Sequence, residues 1–146
     1  MRCRVLSFAA VAATAALICQ ADPAVAARIT VTIDGFHNAQ GNVFVGLYSN
    51  ANDFLNGNRC DTFQKVKATG GPVTVVFDNL RPGTYAVGAY HDENANNHLD
   101  TNFVGLPTEG YALSNGVRAV FSKPTFVEAA FTVGTEGRSV PLHIRY

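Results

Sequence analysis

The chain has few cysteines, and their positions limit the disulfides that it can form. Of three cysteines in 146 residues, Cys3 and Cys19 lie in a predicted leader segment that is absent from the mature chain. Cys60 is then alone, so we expect no disulfide within the mature chain, whose fold must depend on packing and on any bound metal. We predict a partly buried, unreactive thiol at Cys60. The alternative is a disulfide between two chains.

The chain also lacks an excess of charge of either sign. It has 11 basic and 11 acidic residues. Removal of Arg2, Arg4 and Asp22 with the leader leaves nine basic and ten acidic residues, a net charge of −1. Domains that bind nucleic acid usually carry a basic patch. The near-neutral balance therefore argues against a nucleic-acid partner.

No apolar run is long enough to cross a membrane. The longest, residues 5–18, has 14 residues, whereas a membrane-spanning helix needs about 20. Basic residues precede this run and the small residues Ala-Val-Ala follow it at 24–26, which is typical of a cleaved export signal.

We therefore predict a signal peptide at residues 1–26 and a single mature domain at residues 27–146, without a membrane span. A retained membrane anchor is the less favoured alternative. The exported product is either periplasmic or secreted, because the same signal serves both destinations. We expect a monomer whose partner is an unknown component of the envelope or the extracellular medium.

Alternating apolar and polar residues predict an all-β domain. In residues 28–34, Ile29, Val31 and Ile33 share one face, as in a half-buried strand. Further strands are predicted at residues 42–48, 62–68, 73–77, 84–90 and 139–146. A short helix is predicted at residues 124–131, with proline in its first turn. Since no helical crossovers separate the strands, we expect a mainly antiparallel Ig-like or prealbumin-like β-sandwich of about seven strands.

Three motifs resemble those of one bacterial exported family. They are LRPGTYAV at residues 80–87, HDEN at residues 91–94 and GLPTEGY at residues 105–111. Together they resemble the family catalogued as domain of unknown function 2141, over essentially the whole mature chain. The resemblance implies a small exported β-domain and no known activity. The family usually carries glycine at the position of Asn97, and asparagine tolerates a left-handed backbone better than most residues.

The long polar loop at residues 91–114 contains the candidate metal ligands. Oxygen-bearing side chains at every second position are typical of calcium loops. The predicted ligands are Asp92, Asn94, Asn96, His98, Asp100 and Glu109. An EF-hand would place a bidentate Glu where this chain has Phe103, so Glu109 must fold back to supply the missing carboxylate. We predict weak Ca²⁺ binding, with a dissociation constant on the order of 0.1–1 mM.

Two other interpretations of this loop do not need a metal. In the first, the Asp and Asn side chains only satisfy the loop's own backbone and bind nothing. In the second, the loop serves recognition through its large apolar side chains, Phe103, Leu106, Tyr111 and Leu113. Exposed together, these would form a binding patch. We expect them instead to be buried and to anchor the long loop to the sandwich.

A zinc site or a catalytic site is the least favoured interpretation. His91 and His98, with Asp92 and Asp100, match no zinc spacing. Ser114 near His91 is weak support for a nucleophile and a base. The sequence contains no G-x-S-x-G or H-E-x-x-H motif. We therefore predict that the protein is not an enzyme.

Overall fold

The computed structural model describes residues 26–56, 59–119 and 122–146, and the predicted signal peptide lies almost wholly outside them. Strands account for most of the regular structure of these residues. The strands are β1 (Ala27–Asp34), β2 (Asn42–Tyr48), β3 (Thr62–Lys67), β4 (Val73–Leu80), β5 (Gly83–Asp92), β6 (Gly110–Leu113), β7 (Phe131–Val133) and β8 (Arg138–His143). A 3₁₀ turn, Ser114–Gly116, and a four-residue helix, α1 (Phe126–Ala129), complete them.

The strands form two sheets. The first has the order β4-β1-β8, and the second has the order β3-β2-β5-β6, with β7 paired to the start of β5. Every pairing is antiparallel except that of β1 with β8, which is parallel. Val31 at the centre of β1 lies opposite Val75 of β4 and Val140 of β8. The predicted mainly antiparallel β-sandwich is confirmed.

The main core consists of the apolar faces that the two sheets turn toward each other. Alternate residues along β1 and β2 are fully buried, because successive side chains of a strand point to opposite faces. They are Ile29, Val31, Ile33, Val43, Val45 and Leu47. Val140, Leu142 and Ile144 at the end of the chain are also buried, as the alternation predicts.

A second, smaller core lies on the other face of β5. It contains Phe54, Ala86, Leu113 and Ala129. Ser114 closes this core with a fully buried hydroxyl, which accepts the Val87 N–H at 3.0 Å and donates to the Ala129 carbonyl at 2.6 Å. The serine therefore fixes the chain after β6 to both β5 and α1, and does not lie free beside a histidine.

Two predictions about the second half of the chain need correction. The helix expected at residues 124–131 is only Phe126–Ala129. It begins with a capping box between Thr125 and Glu128, and Phe131–Val133 continues as a strand paired with Gly83, Thr84 and Tyr85. The polar loop is also shorter than predicted, because β5 extends to Asp92 and β6 begins at Gly110. Among the described residues, no helix is long and apolar enough to cross a membrane.

Candidate functional site

The polar loop, residues 93–109, leaves the sandwich at the end of β5 and returns directly beside it as β6. His91 of β5 lies opposite Gly110 of β6, so the two ends of the loop are adjacent. Within the loop, Thr101 and Pro107 form an isolated β-bridge. The loop is therefore folded into an Asx-rich half, residues 93–100, and a hairpin, residues 101–108.

Asp92 organises the first half of the loop. Its carboxylate is fully buried and accepts the Asn96 N–H at 3.0 Å and the Asn97 N–H at 2.9 Å. Ala95 and Asn97 have positive φ angles of 59° and 66°, which bend the backbone around this carboxylate. The predicted left-handed conformation of Asn97 is thus present.

Asn94, Asn96 and Asp100 continue the same turn. The Asn94 side-chain oxygen accepts the Asn96 N–H at 3.0 Å, and the Asn96 side-chain oxygen accepts the His98 N–H at 2.8 Å. The amide nitrogens of Asn94 and Asn96 donate to the Asp100 carboxylate at 2.7 Å and 3.0 Å. The side chains of the three residues therefore lie within hydrogen-bonding distance of one another.

Glu109 folds back across the loop. Its carboxylate accepts the Glu93 N–H at 3.2 Å and the Asp100 N–H at 3.0 Å, and its side chain is buried. Burial raises the pKa of Glu109, and the nearby charges of Asp100 and Asp92 raise it further against the opposing effect of the two N–H donors. Three carboxylates thus share one end of the sheet, and the charges of Asp100 and Asp92 add to the effect of burial in raising the pKa of Glu109.

Five of the six predicted metal ligands are brought together, and His98 joins them only through its backbone N–H. The positions of Asp92, Asn94, Asn96, Asp100 and Glu109 are linked by the hydrogen bonds above. Among the described residues, no three His, Cys, Asp or Glu side chains are close enough to hold a metal by themselves. A cation in this loop would need amide or backbone oxygens as well.

His91 lies next to Asp92 in sequence but faces the opposite side of β5. Its imidazole is fully buried. Nε2 is 2.7 Å from the Gln40 carbonyl oxygen, which can only accept, so Nε2 carries the proton. Nδ1 then accepts the hydroxyl of Tyr146 at 2.5 Å. Both nitrogens are occupied in the structure. Nδ1 also lies 3.8 Å from the carboxylate of Glu93 at the start of the polar loop, whereas the Ser114 hydroxyl is bonded to Val87 and Ala129.

A family model described as "Uncharacterized protein conserved in bacteria", domain of unknown function 2141, matches residues 31–141. The chain belongs to this family. The matched range includes β2 to β7 and the entire polar loop. The resemblance seen in the sequence motifs is therefore confirmed. Neither a curated protein nor a solved structure matches the chain.

In this family member, the hairpin of the polar loop exposes apolar side chains. Phe103 is 101% exposed, Val104 62% and Leu106 45%, whereas Leu113 is 4% exposed. The expected anchoring of the loop by buried apolar residues is thus right for Leu113 and wrong for Phe103 and Leu106. The difference arises because Leu113 belongs to β6 and packs in the second core, whereas an open pocket separates the hairpin from β5.

A pocket of about 680 Å³ lies between this hairpin and β5. Its walls are mainly apolar and include Leu55, Tyr90, Leu99, Val104, Leu106 and Tyr111. Gly88 of β5 opens part of this space, because a Cβ there would lie 3.2 Å from the Leu113 side chain. Burial raises the pKa of Tyr90 to about 12, with a smaller contribution from the charge of Asp92. The sequence alone did not indicate this pocket, since its walls come from segments far apart in the chain.

Proposed function

We propose that this family member is an exported accessory domain that binds Ca²⁺ weakly in its polar loop. The bound ion would stiffen the loop and so prepare its surface for a partner in the envelope or the extracellular medium. The observation that carries this proposal is the grouping of Asp92, Asp100 and Glu109 at one end of β5.

Cleavage of the export signal after Ala26 is checked by the intact mass of the exported product.

The charges around the loop favour a cation. Burial and the charges of Asp100 and Asp92 raise the pKa of Glu109, so its ionised form is disfavoured in the protein. Among the described residues, none of the ion pairs involves these three carboxylates. The Lys65 amine reaches the loop but donates to the Asn97 side-chain oxygen. A bound divalent cation would therefore reduce the repulsion among Asp92, Asp100 and Glu109, which no ion pair of the described residues offsets.

The same geometry indicates that the affinity is low. Asp100 accepts N–H donors from the amides of Asn94 and Asn96, and a cation held by Asp100 must replace them. Two of the predicted ligands are neutral amides, and affinity in calcium loops falls as the number of charged ligands falls. A dissociation constant on the order of 0.1–1 mM is expected, in the range of extracellular calcium modules.

Thermal unfolding in EDTA and then in calcium tests this proposal. At a calcium concentration about 100-fold above the dissociation constant, the bound ion stabilises the domain by about 2.7 kcal/mol. The melting temperature should then rise by roughly 10 °C. Magnesium and zinc are the control metals. Asp100→Asn should abolish the rise, whereas Asp61→Asn, at an exposed position outside the loop, should keep it.

A second candidate is a binding or structural module whose Asx-rich loop is only a turn. It is favoured by one observation: among the described residues, every buried side-chain nitrogen and oxygen already has a hydrogen-bond partner. Asn96→Asp separates the two candidates. Calcium binding predicts a larger calcium-induced rise in melting temperature, because a charged ligand replaces a neutral one. The turn-only candidate predicts lower stability, with no response to calcium, because the donor to Asp100 is lost.

A further inference from the structure

The edge strands of the two sheets meet near the end of the chain and then separate. Tyr111 of β6 and Arg145, two residues after β8, exchange backbone hydrogen bonds of 2.9 and 3.1 Å. If this antiparallel ladder continued, the next pair to exchange hydrogen bonds would be Leu113 and His143, two residues further along each strand. Among the described residues that pair is not formed, and Tyr111 with Arg145 is an isolated bridge. The two strands therefore diverge immediately beyond the bridge.

The backbone groups of this missing pair point into the gap between the strands. Ile144 donates its N–H to the carbonyl of Asp34 in β1 at 2.8 Å, and adjacent residues of a strand direct their backbone groups to opposite sides. The N–H and carbonyl of His143 therefore point away from β1, toward β6. Leu113 has the same orientation as Tyr111, so its N–H points away from β5, toward β8. Two backbone donors thus face the gap, and within the described part of the chain neither bonds across it.

A pocket of about 300 Å³ occupies this gap. That volume is at the lower end of the range of small-molecule sites, about 300–1,000 Å³. Its walls include the buried residues Leu113 and Leu142 and the exposed residues Arg118 and Arg145. A Cβ at Gly116, on the same wall, would meet no atom within 4 Å, so the pocket is open on that side.

The charge of the pocket is positive. Among the described residues, neither Arg118 nor Arg145 takes part in an ion pair. Of the described residues that line the pocket, only Asp34 is acidic, and its carboxylate already accepts the His143 Nδ1–H at 2.5 Å. The two guanidinium charges outweigh the single carboxylate charge even when the His143 imidazole is neutral. The pocket therefore favours an anion.

We propose that this pocket binds a small organic acid, whose carboxylate or phosphate is held by Arg118 and Arg145 and by the N–H groups of Leu113 and His143. Guanidinium groups bind either oxyanion through paired N–H donors. The apolar body of the acid contacts Leu142 at the base of the pocket. The His143 carbonyl, which faces the same space, accepts a hydrogen bond from a donor on the ligand or from water.

A compact ligand fits this gap better than an added peptide strand. Strand addition depends on a run of backbone hydrogen bonds along a free sheet edge. Pro141 of β8 has no N–H and interrupts such a run two residues from His143. The site shares no residue with the predicted calcium ligands, and it goes beyond the proposed function by assigning a small-molecule ligand to the domain.

Amide chemical shifts of the exported, processed protein test this proposal. The probes are benzoate and phenyl phosphate, with benzyl alcohol as the uncharged control, all added in EDTA so that no calcium is bound. Benzoate or phenyl phosphate should shift the amide resonances of Leu113 and His143 until the site is saturated, because the oxyanion accepts both N–H groups. The acid that binds more tightly identifies the preferred oxyanion.

Charge-removing variants show which side chains hold the acid. Arg118→Gln and Arg145→Gln should each weaken binding by about tenfold or more, because each loses a hydrogen bond from a charged donor. Arg81→Gln, which removes the same charge from the turn between β4 and β5, should bind as the wild type does. Melting temperatures should match that of the wild type, because both pocket arginines are exposed. Arg118 lies outside the strands, so Arg118→Gln tests the site even if Arg145→Gln fails to fold.

Three results would overturn the proposal. They are the absence of any shift at Leu113 and His143 with either acid at millimolar concentration, equal shifts with benzyl alcohol, and unchanged binding of the acids by Arg118→Gln. All three leave the calcium experiment unaffected, because that experiment contains no organic acid.

Discussion

At the scale of single residues, Asn97 holds the backbone turn on which the polar loop depends. Its φ angle is 66°, in the left-handed region, and its N–H donates to the buried carboxylate of Asp92 at 2.9 Å. The family resemblance implies glycine here. Left-handed backbone costs most residues roughly 1–2 kcal/mol, and asparagine less. Asn97 is thus a tolerated substitute that keeps the turn.

Substitution of Asn97 measures this backbone cost. We expect Asn97→Ala to lower the free energy of unfolding by about 1 kcal/mol relative to Asn97→Gly, because alanine resists positive φ. Both variants lose the hydrogen bond from the Lys65 amine, so that loss cancels between them. Urea unfolding gives the two values. Asn52→Ala, at an exposed position without positive φ, should change stability by less than about 0.5 kcal/mol. Equal stability of the alanine and glycine variants would contradict the expectation.

At the scale of secondary structure, β6 and the end of the chain depend on each other. Gly110 begins β6, and a Cβ at this position would lie 2.5 Å from atoms of Ile144 and of the Tyr146 ring. Tyr111 and Arg145 exchange backbone hydrogen bonds of 2.9 and 3.1 Å across the same junction. Glycine is therefore needed at position 110 for close approach, and the chain end closes over it.

Gly110→Ala should weaken the packing of β6 against residues 144–146. The added methyl group overpacks the junction, and we expect a loss of about 1–3 kcal/mol in the free energy of unfolding. The matched control is Gly71→Ala, since no atom lies within 4 Å of a Cβ there. That control should stay within about 0.5 kcal/mol of the wild type. Urea unfolding measures both variants, and equal losses would show that the junction does not require glycine.

The alternation of apolar residues predicts six of the eight strands, because each of the six has enough residues to show a period of two. It does not predict β6, which has four residues, or β7, which has three. Both short strands depend on pairing with β5: Gly110 lies opposite His91, and Thr132 lies opposite Thr84. Pairing across such separations is a tertiary effect that local pattern does not encode.

At the scale of the whole molecule, the spacing of polar residues predicts which side chains of the polar loop lie together. It does not predict how the hairpin of the loop is placed beside β5. The period of two predicts that Asp92, Asn94, Asn96 and Asp100 lie together, and the structure groups them. The exposed apolar side chains of the hairpin and the pocket beside β5 depend on where the hairpin lies relative to β5. That placement is set by the short strand β6, which the pattern missed, so neither feature was predicted.

The stability of the molecule should depend on pH through Glu109. Its raised pKa means that the folded state favours the protonated carboxyl, so Glu109 contributes most below its unfolded pKa and this contribution is lost as pH rises through the folded value. Bound calcium would instead favour the ionised carboxylate of Glu109, because a cation binds the ionised form. The calcium-induced rise in melting temperature should therefore be smaller near pH 4.5, the ordinary carboxyl pKa, than near neutrality.

Comparison of the wild type with Glu109→Gln isolates the contribution of the Glu109 carboxyl to the pH dependence of stability. As pH rises in EDTA, the free energy of unfolding of the wild type should fall relative to that of Glu109→Gln. Glu136→Gln, an exposed substitution at another turn, should show no such trend. A difference that is constant with pH would show that the Glu109 carboxyl has an ordinary pKa.

Because β1 pairs in parallel with β8, the first sheet cannot form completely until β8 has been made. Asp34 at the end of the first strand bonds to His143 at the end of the last, 109 positions away. β1 therefore remains without one of its two neighbours until β8 has been synthesised. The N-terminal half therefore cannot complete its sheet before β8 is available, and contacts this distant in sequence form slowly. A chain that pauses or ends before β8 would leave an open strand edge, a ready template for aggregation.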